Sequence, residues 1–268
     1  MATLDLSPGN SLYYEYTPAS SDGAGTYVFV NPIMGDVSLW NAAIIPALQV
    51  KGFGTLTYNF RGQAISEFSP SMDLSEQVIV DDLCAILDHV KPPKATLVGL
   101  SIGGLYAAKA YLRGKDIVGL VLVNTLRRIT PRLEWMNDAT MVAMKVGGPN
   151  LMKDLLFHLL VGEQFQVASR ADFMQPGTAY DPLPEDTGAY SLFTFMGKTD
   201  WDIDWFKLAL PVLVVTGLQD RVFFDPPIVD ELFATLPKGS RVDVAHAGHM
   251  LPAETPDALL AALDGWAR

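Results

Sequence analysis

Cysteine is almost missing from this chain: Cys84 is the single one in 268 residues. No intramolecular disulfide can form, and four scattered histidines with one cysteine offer no zinc-ligand spacing. Within the run Val80-x-x-Leu83-x-x-Ile86-Leu87 the thiol reads as a small core side chain and not as a reactive group. Basic residues are also scarce. Nineteen Lys and Arg stand against 30 Asp and Glu, a formal charge of −11, which opposes binding to nucleic acid or to an anionic membrane surface. No apolar stretch reaches the roughly 18 residues that a membrane span needs. The opening Met1-Ala2-Thr3-Leu4-Asp5-Leu6 has neither the basic nor the apolar region of a secretory signal, so a cytoplasmic protein is expected.

What is present is apolar and periodic. The chain is 49% hydrophobic, and short β-branched runs alternate with amphipathic stretches, as a mostly parallel sheet covered on both faces requires. The spacing predicts strands at Tyr27–Val30, Gly54–Tyr58, Ala95–Val98, Gly119–Asn124, Val212–Thr216 and Val242–Ala245, after an N-terminal hairpin of Thr3–Leu6 and Leu12–Tyr16. Asp73-x-x-Glu76 has the form of a capping box opening a helix that runs to about Val90, where Pro92-Pro93 stops it. From about Leu126 to Asp204 the alternation fails. Helical segments near Glu134–Val146 and Asn150–Leu160 replace it, so the expected division is a core of residues 1–125 and 205–268 with a helical lid at 126–204.

The densest signal is Gly99-Leu100-Ser101-Ile102-Gly103, placed between an apolar strand and a helix. A serine on a strained strand-to-helix turn needs neighbours without a Cβ, so that the chain can double back and leave the hydroxyl exposed above the sheet. Such a serine needs a base and an acid. The strand Pro211–Thr216 stops at Gly217-Leu218-Gln219-Asp220, and the last strand is followed by His246-Ala247-Gly248-His249-Met250, which puts Asp220 and His249 on loops at the same sheet edge. The order Ser101, Asp220, His249 is that of nucleophile, acid and base on a sheet of this kind. Asp225 is the next candidate acid.

On these residues the chain resembles the α/β-hydrolase fold superfamily over nearly its whole length. Tyr58-Asn59-Phe60-Arg61-Gly62-Gln63-Ala64-Ile65-Ser66 is similar to the family's D-x-R-G-x-G-x-S stretch, and Gly248-His249 with Glu254-x-Pro256 is similar to its G-H-x-x-x-x-E-x-P ending. Val98–Gly104 and Leu122–Thr125 most resemble the branch of 3-oxoadipate enol-lactonases and small esterases. The resemblance implies an α/β-hydrolase fold, a mostly parallel doubly wound sheet with a helical lid inserted after the sixth core strand. One departure bears on chemistry. After Tyr27–Val30 the family has His-Gly, whereas here Asn31-Pro32 precede Ile33-Met34-Gly35. Proline has no N–H, so the amides of Ile33 and Ile102 are the expected oxyanion donors. Asn59 and Ala64, where the family has Asp and Gly, read as drift without chemical consequence.

Around this centre, Asn31, Met34, Arg127, Arg128, Trp135 and Met250 are the expected substrate-pocket residues. The lid carries Trp135, Met136, Met141, Met144, Met152, Phe157, Phe165, Phe173, Met174, Phe193, Phe195 and Met196; most are expected to pack on the core and a minority to face substrate. Arg127, Arg128 and Arg132 start at the sheet edge where the site lies. One of them could clamp a substrate carboxylate, although a solvated face at the lid entrance is the plainer reading. Asp200, Asp202 and Asp204 lack the glycine and closing glutamate of a calcium loop. The expectation is therefore an enzyme without metal or cofactor, a monomer or homodimer. It would attack an ester, lactone or activated carbonyl of a small, largely apolar molecule. C–C bond hydrolysis, perhydrolysis and acyl transfer use the same three side chains, and a ligand-binding receptor or an inactive scaffold would keep the same fold.

Overall fold

The computed structural model describes residues 2–70 and 72–266. Among the described residues eight strands form one sheet: β1 (Ala2–Ser7), β2 (Asn10–Thr17), β3 (Thr26–Val30), β4 (Gly54–Tyr58), β5 (Ala95–Leu100), β6 (Gly119–Val123), β7 (Val212–Gly217) and β8 (Gly239–Val244). Their spatial order is β1-β2-β4-β3-β5-β6-β7-β8. Only the β1–β2 and β2–β4 pairs are antiparallel; from β4 to β8 every pair is parallel. The six expected strands and the hairpin are all present, with ends shifted by a few residues, most at the final strand, which starts at Gly239.

Parallel strands need crossovers, and the crossovers bury both faces. The helices are α1 (Ser38–Asn41), α2 (Ile44–Val50), α3 (Glu76–Val90), α4 (Ile102–Leu112), α5 (Pro131–Leu160), α6 (Glu163–Ser169), α7 (Gly188–Met196), α8 (Pro226–Ala234), α9 (Leu251–Glu254) and α10 (Pro256–Trp266). Strand side chains alternate between two cores. Phe29, Val98, Val121 and Val215 pack with Trp40, Ile44, Leu48 and Leu263 on one face. On the other, Val28, Leu97, Leu120 and Val214 pack with Ile79, Leu83, Leu105 and Ala108. Cys84 is half-buried against the second core, and burial raises its pKa.

Two local expectations are corrected. α3 starts at Glu76 after Ser75, not at an Asp73 cap. Its first glutamate is drawn away from any capping box: Glu76 accepts from Lys109 Nζ and from the Asp200 amide, tying the core to the end of the inserted helices. Asn59 is not idle drift. Its Oδ1 accepts the Val37 amide at 2.9 Å inside a buried network described below.

Between β6 and β7 lie α5, α6 and α7 with no strand among these residues. α5 is broken at Gly148, whose φ of 64° and ψ of −161° are non-helical, and Pro149 follows. A proline cannot donate to the preceding turn, so two helical halves meet there at an angle.

Candidate active site

β5 ends in a turn that only special residues allow. Ser101 sits at φ 59° and ψ −123°, a strained conformation for a residue with a side chain. Close approach explains the flanking glycines: a Cβ on Gly99 would stand 2.3 Å from the Gly104 nitrogen, and one on Gly103 2.4 Å from the Val30 carbonyl oxygen. The turn is tied to its neighbours by Ser101 N donating to Val123 O at 2.8 Å and Thr125 Oγ1 donating to Ser101 O at 3.0 Å. α4 begins at the next residue, and the positive end of its dipole therefore points at the Ser101 hydroxyl.

Asp220 and His249 are brought together from the ends of β7 and β8. His249 Nδ1 and Asp220 Oδ2 are 2.6 Å apart, leaving the Nε2 edge of the ring free of that pair. Asp220 Oδ1 accepts from the amides of Val222 (3.0 Å) and Phe223 (2.9 Å). Burial works against the Asp220 charge. The His249 ring, the Phe223 amide and the nearby Arg127 outweigh it and hold the carboxyl below its ordinary range. The His249 loop is braced twice. Asn124 Nδ2 donates to the carbonyls of Gly248 and His249 at 3.0 and 2.9 Å, and Glu254 accepts from the amides of Gly248, Met250 and Gly162. His246 is exposed, and Asp225 caps α8 by accepting from the Ile228 amide. Neither joins the cluster.

Ser101, Ile33, Ile102 and His249 border one cavity of about 380 Å³. The amides of Ile33 and Ile102 have no acceptor among the described residues. The loop holding Ile33, which follows Asn31-Pro32, is set by a polar network. Gln63 Nε2 donates to the carbonyls of Pro32 (2.9 Å) and Ile33 (3.0 Å), while its Oε1 accepts from Asn31 Nδ2 and from the Phe60 amide. Asn31 Oδ1 in turn accepts from Trp40 Nε1 at 2.9 Å.

The expected pocket residues divide. Met34, Arg127 and Met250 line the cavity. Asn31 does not: it is fully buried, spent on the network just described. Arg128 points away to an exposed ion pair with Glu231, and Trp135 is 79% exposed on α5. Both are corrections: Arg128 lies before α5 and is drawn to Glu231, while Trp135 is on the outward side of α5's first turns, where Leu133 and Met136 turn inward to the cavity. Of the other aromatic and Met residues in the insertion, Met152, Phe157, Phe193 and Met196 line it, Met144 is core, and Met174 is exposed.

Arg127 is in the pocket as expected, but the solvated face that was the plainer reading does not hold for it. It is neither a solvated surface group nor part of an ion pair, but a guanidinium 4% exposed in the cavity wall. Its Nη2 donates to Ser101 Oγ at 2.8 Å and to Asn124 O at 3.0 Å. Trp201 and Phe223 each lie 4.2 Å from its central carbon in cation–π contact. Phe223 also packs on the His249 ring, with centroids 4.6 Å apart. Among the described residues, the hydrogen bond of the Ser101 hydroxyl runs to Arg127 and not to His249. Burial pulls the Arg127 pKa down to about 9, partly offset by Asp220. It therefore remains a cation at neutral pH.

Relatives share this architecture. Over 242 residues the chain is 24% identical to BpoC of Mycobacterium tuberculosis, which carries the name of a non-heme bromoperoxidase; the match covers 88% of this chain and 91% of that one. It is 24% identical to 3-oxoadipate enol-lactonase 2 of Acinetobacter baylyi over 237 residues, 86% of this chain and 84% of the other. Among solved structures, the enol-lactonase from Burkholderia xenovorans LB400 superposes with a TM-score of 0.78 at 22% identity, covering 97% of each chain. Residues 27–262 match the alpha/beta hydrolase family, and the chain belongs to that family as a hydrolase of the α/β fold.

Proposed function

We propose that this hydrolase cleaves an ester, lactone or related activated carbonyl of a small, largely apolar substrate through an acyl-enzyme. Ser101 is the nucleophile, His249 the general base and Asp220 its anionic partner. The observation that carries this reading is the convergence of a strained serine and an Asp220–His249 pair on one largely apolar cavity.

The Ser101 proton passes to Nε2 of His249 as Oγ attacks, and Asp220 stabilises the imidazolium that forms. Charge develops on the carbonyl oxygen, and the free amides of Ile33 and Ile102 receive it; two preorganised donors are worth several kcal/mol, about 3–4 for each one removed. Collapse expels the alcohol, which takes its proton from His249. Water, activated by the same ring, then releases the acid. The helical insertion at 126–204 acts as the lid: Leu133, Met136, Met152, Leu156, Phe157 and Phe193 supply the apolar wall that selects substrate and limits access of water.

Labelling with a fluorophosphonate, followed by peptide mass spectrometry, tests the nucleophile. One adduct per chain on Ser101 supports the reading, and no adduct sinks it. A panel of short p-nitrophenyl esters and lactones then reads the reaction. The similarity to BpoC favours one second reading, in which hydrogen peroxide replaces water at the acyl-enzyme. Peracid formation from an ester and peroxide, faster than hydrolysis, would support it.

A further inference from the structure

Arg127 is a buried cation with no anion of its own. Among the described residues no carboxylate lies within ion-pair distance of it, and Asp220, the nearest source of negative potential, is committed to His249 and two amides. Trp201 and Phe223 each lie 4.2 Å from its central carbon, and its donors lie in the plane of the guanidinium. There Nη2 serves Ser101 Oγ and Asn124 O, Nε serves Thr125 O at 3.4 Å, and Nη1 has no acceptor among the described residues. The free donors therefore lie in a plane that contains the nucleophile's neighbourhood. Burying a charge in an apolar wall is costly unless something repays it, and a protein that only needed to fill this space would use a methionine.

Resting on the hydrolase reading, we infer that Arg127 receives a carboxylate carried by the acyl part of the substrate, within a few bonds of the carbonyl that Ser101 attacks. The planar N–H fork of the guanidinium matches a carboxylate better than a bulkier anion. When the carboxylate docks, it takes donors that Ser101 Oγ now occupies. The serine hydroxyl is released toward His249, so that recognition and readiness to attack are coupled at one guanidinium. Lys153 also borders the cavity, but its ammonium lies over the Phe173 ring at 4.6 Å. Arg127 is the cation in contact with the nucleophile.

The test compares monoethyl succinate with ethyl 4-oxopentanoate, a neutral ester of similar size. Wild type should prefer the anion in kcat/KM, and Arg127→Met should lower the anion-to-neutral ratio at least tenfold, chiefly through KM. Arg127→Lys should keep part of that preference, which a loss of packing alone would not predict. Calorimetric titration of Ser101→Ala with monoethyl succinate reads the subsite without turnover: binding should be seen, and should vanish when Arg127→Met is added. An equal ratio in wild type and Arg127→Met overturns the inference, as does a ratio that collapses in Lys153→Met instead. If Ser101 labels and neutral esters are cleaved while the ratio stays fixed, the carboxylate subsite alone falls. If Ser101 neither labels nor supports cleavage, the hydrolase reading falls, and the titration still decides the subsite.

Discussion

The side-chain amide of Gln63 donates to the Pro32 carbonyl at 2.9 Å and to the Ile33 carbonyl at 3.0 Å, and the first of these bonds orients the Ile33 N–H. The Pro32 carbonyl and the Ile33 N–H share a trans peptide plane, in which carbonyl and amide point in opposite directions. Fixing one therefore aims the other. Gln63→Glu preserves shape and the acceptor for Asn31 and Phe60, but sets a carboxylate oxygen against the Pro32 carbonyl. It should lower kcat about tenfold to a hundredfold with little change in KM, the signature of an interaction made only in the transition state. A variant with normal kcat would separate the loop from oxyanion stabilisation.

Ser101 offers a test of strain as well as chemistry. Ser101→Ala should lose about 10⁴ or more in turnover while keeping the fold, because Arg127 Nη2, which loses Oγ as an acceptor, keeps the Asn124 carbonyl. Ser101→Gly should be as inactive, yet more stable than Ser101→Ala, because glycine occupies φ 59° and ψ −123° without the clash of a Cβ. A gain of about 1 kcal/mol over the alanine variant is expected from the usual cost of such strain. Equal urea midpoints for the two would remove strain from the account of the elbow.

The elbow could be read from sequence because its sterics are local: Gly99, Ser101 and Gly103 carry the turn within five residues. The loops of Asp220 and His249 were legible for a related reason, since each follows an apolar run that ends at the same sheet edge. What was not legible depends on neighbours far away in the chain. Asn31, Asn59 and Gln63 form one buried network only after β3 and β4 pair, so Asn31 looked like a pocket residue and Asn59 like drift. Arg127 and Arg128 are adjacent and alike in sequence, yet one is enclosed by Trp201 and Phe223 and the other reaches Glu231 across open solvent. A helix's inward face could be sketched from periodicity, but not which end of α5 would turn Trp135 outward.

The histidines separate by contact. His249→Ala should be inactive and His246→Ala should not, because only His249 meets Asp220 and the cavity. Asp220→Asn should reduce kcat by about 10⁴ with a small effect on KM, as a ring held in the wrong tautomer would. Stability follows the opposite partner of the same pair. The Asp220 carboxyl lies below its ordinary value in the folded state, so its contribution is complete above about pH 3.9 and is lost as pH falls through the folded value. Wild type should thus lose more stability than Asp220→Asn between pH 5 and the acid limit of folding, because only wild type must protonate a carboxyl that the folded state holds ionised. Parallel acid denaturation curves for the two proteins would contradict this.

Arg127 should cost the protein stability that its removal returns. Burial brings the guanidinium down to about 9, so the folded state binds this proton less tightly than the unfolded chain does. The penalty is full below pH 9 and is relieved as pH rises from there toward the ordinary arginine value, where both states release the proton. Arg127→Met removes the buried charge, and the loss of one donor to the Asn124 and Thr125 carbonyls is a smaller cost than burying a guanidinium. The variant should therefore be more stable than wild type at pH 7, on the order of 1–4 kcal/mol, as when other buried charges give way to apolar side chains of similar volume. That advantage should shrink as pH rises past 9, because the wild-type side chain then sheds the charge whose burial was costly. Thermal unfolding of both proteins between pH 7 and 10.5 measures the difference directly. A variant less stable than wild type at pH 7 would mean that the stacking of Trp201 and Phe223 on the guanidinium outweighs its desolvation, and that Arg127 holds the fold of the insertion as well as the mouth of the site.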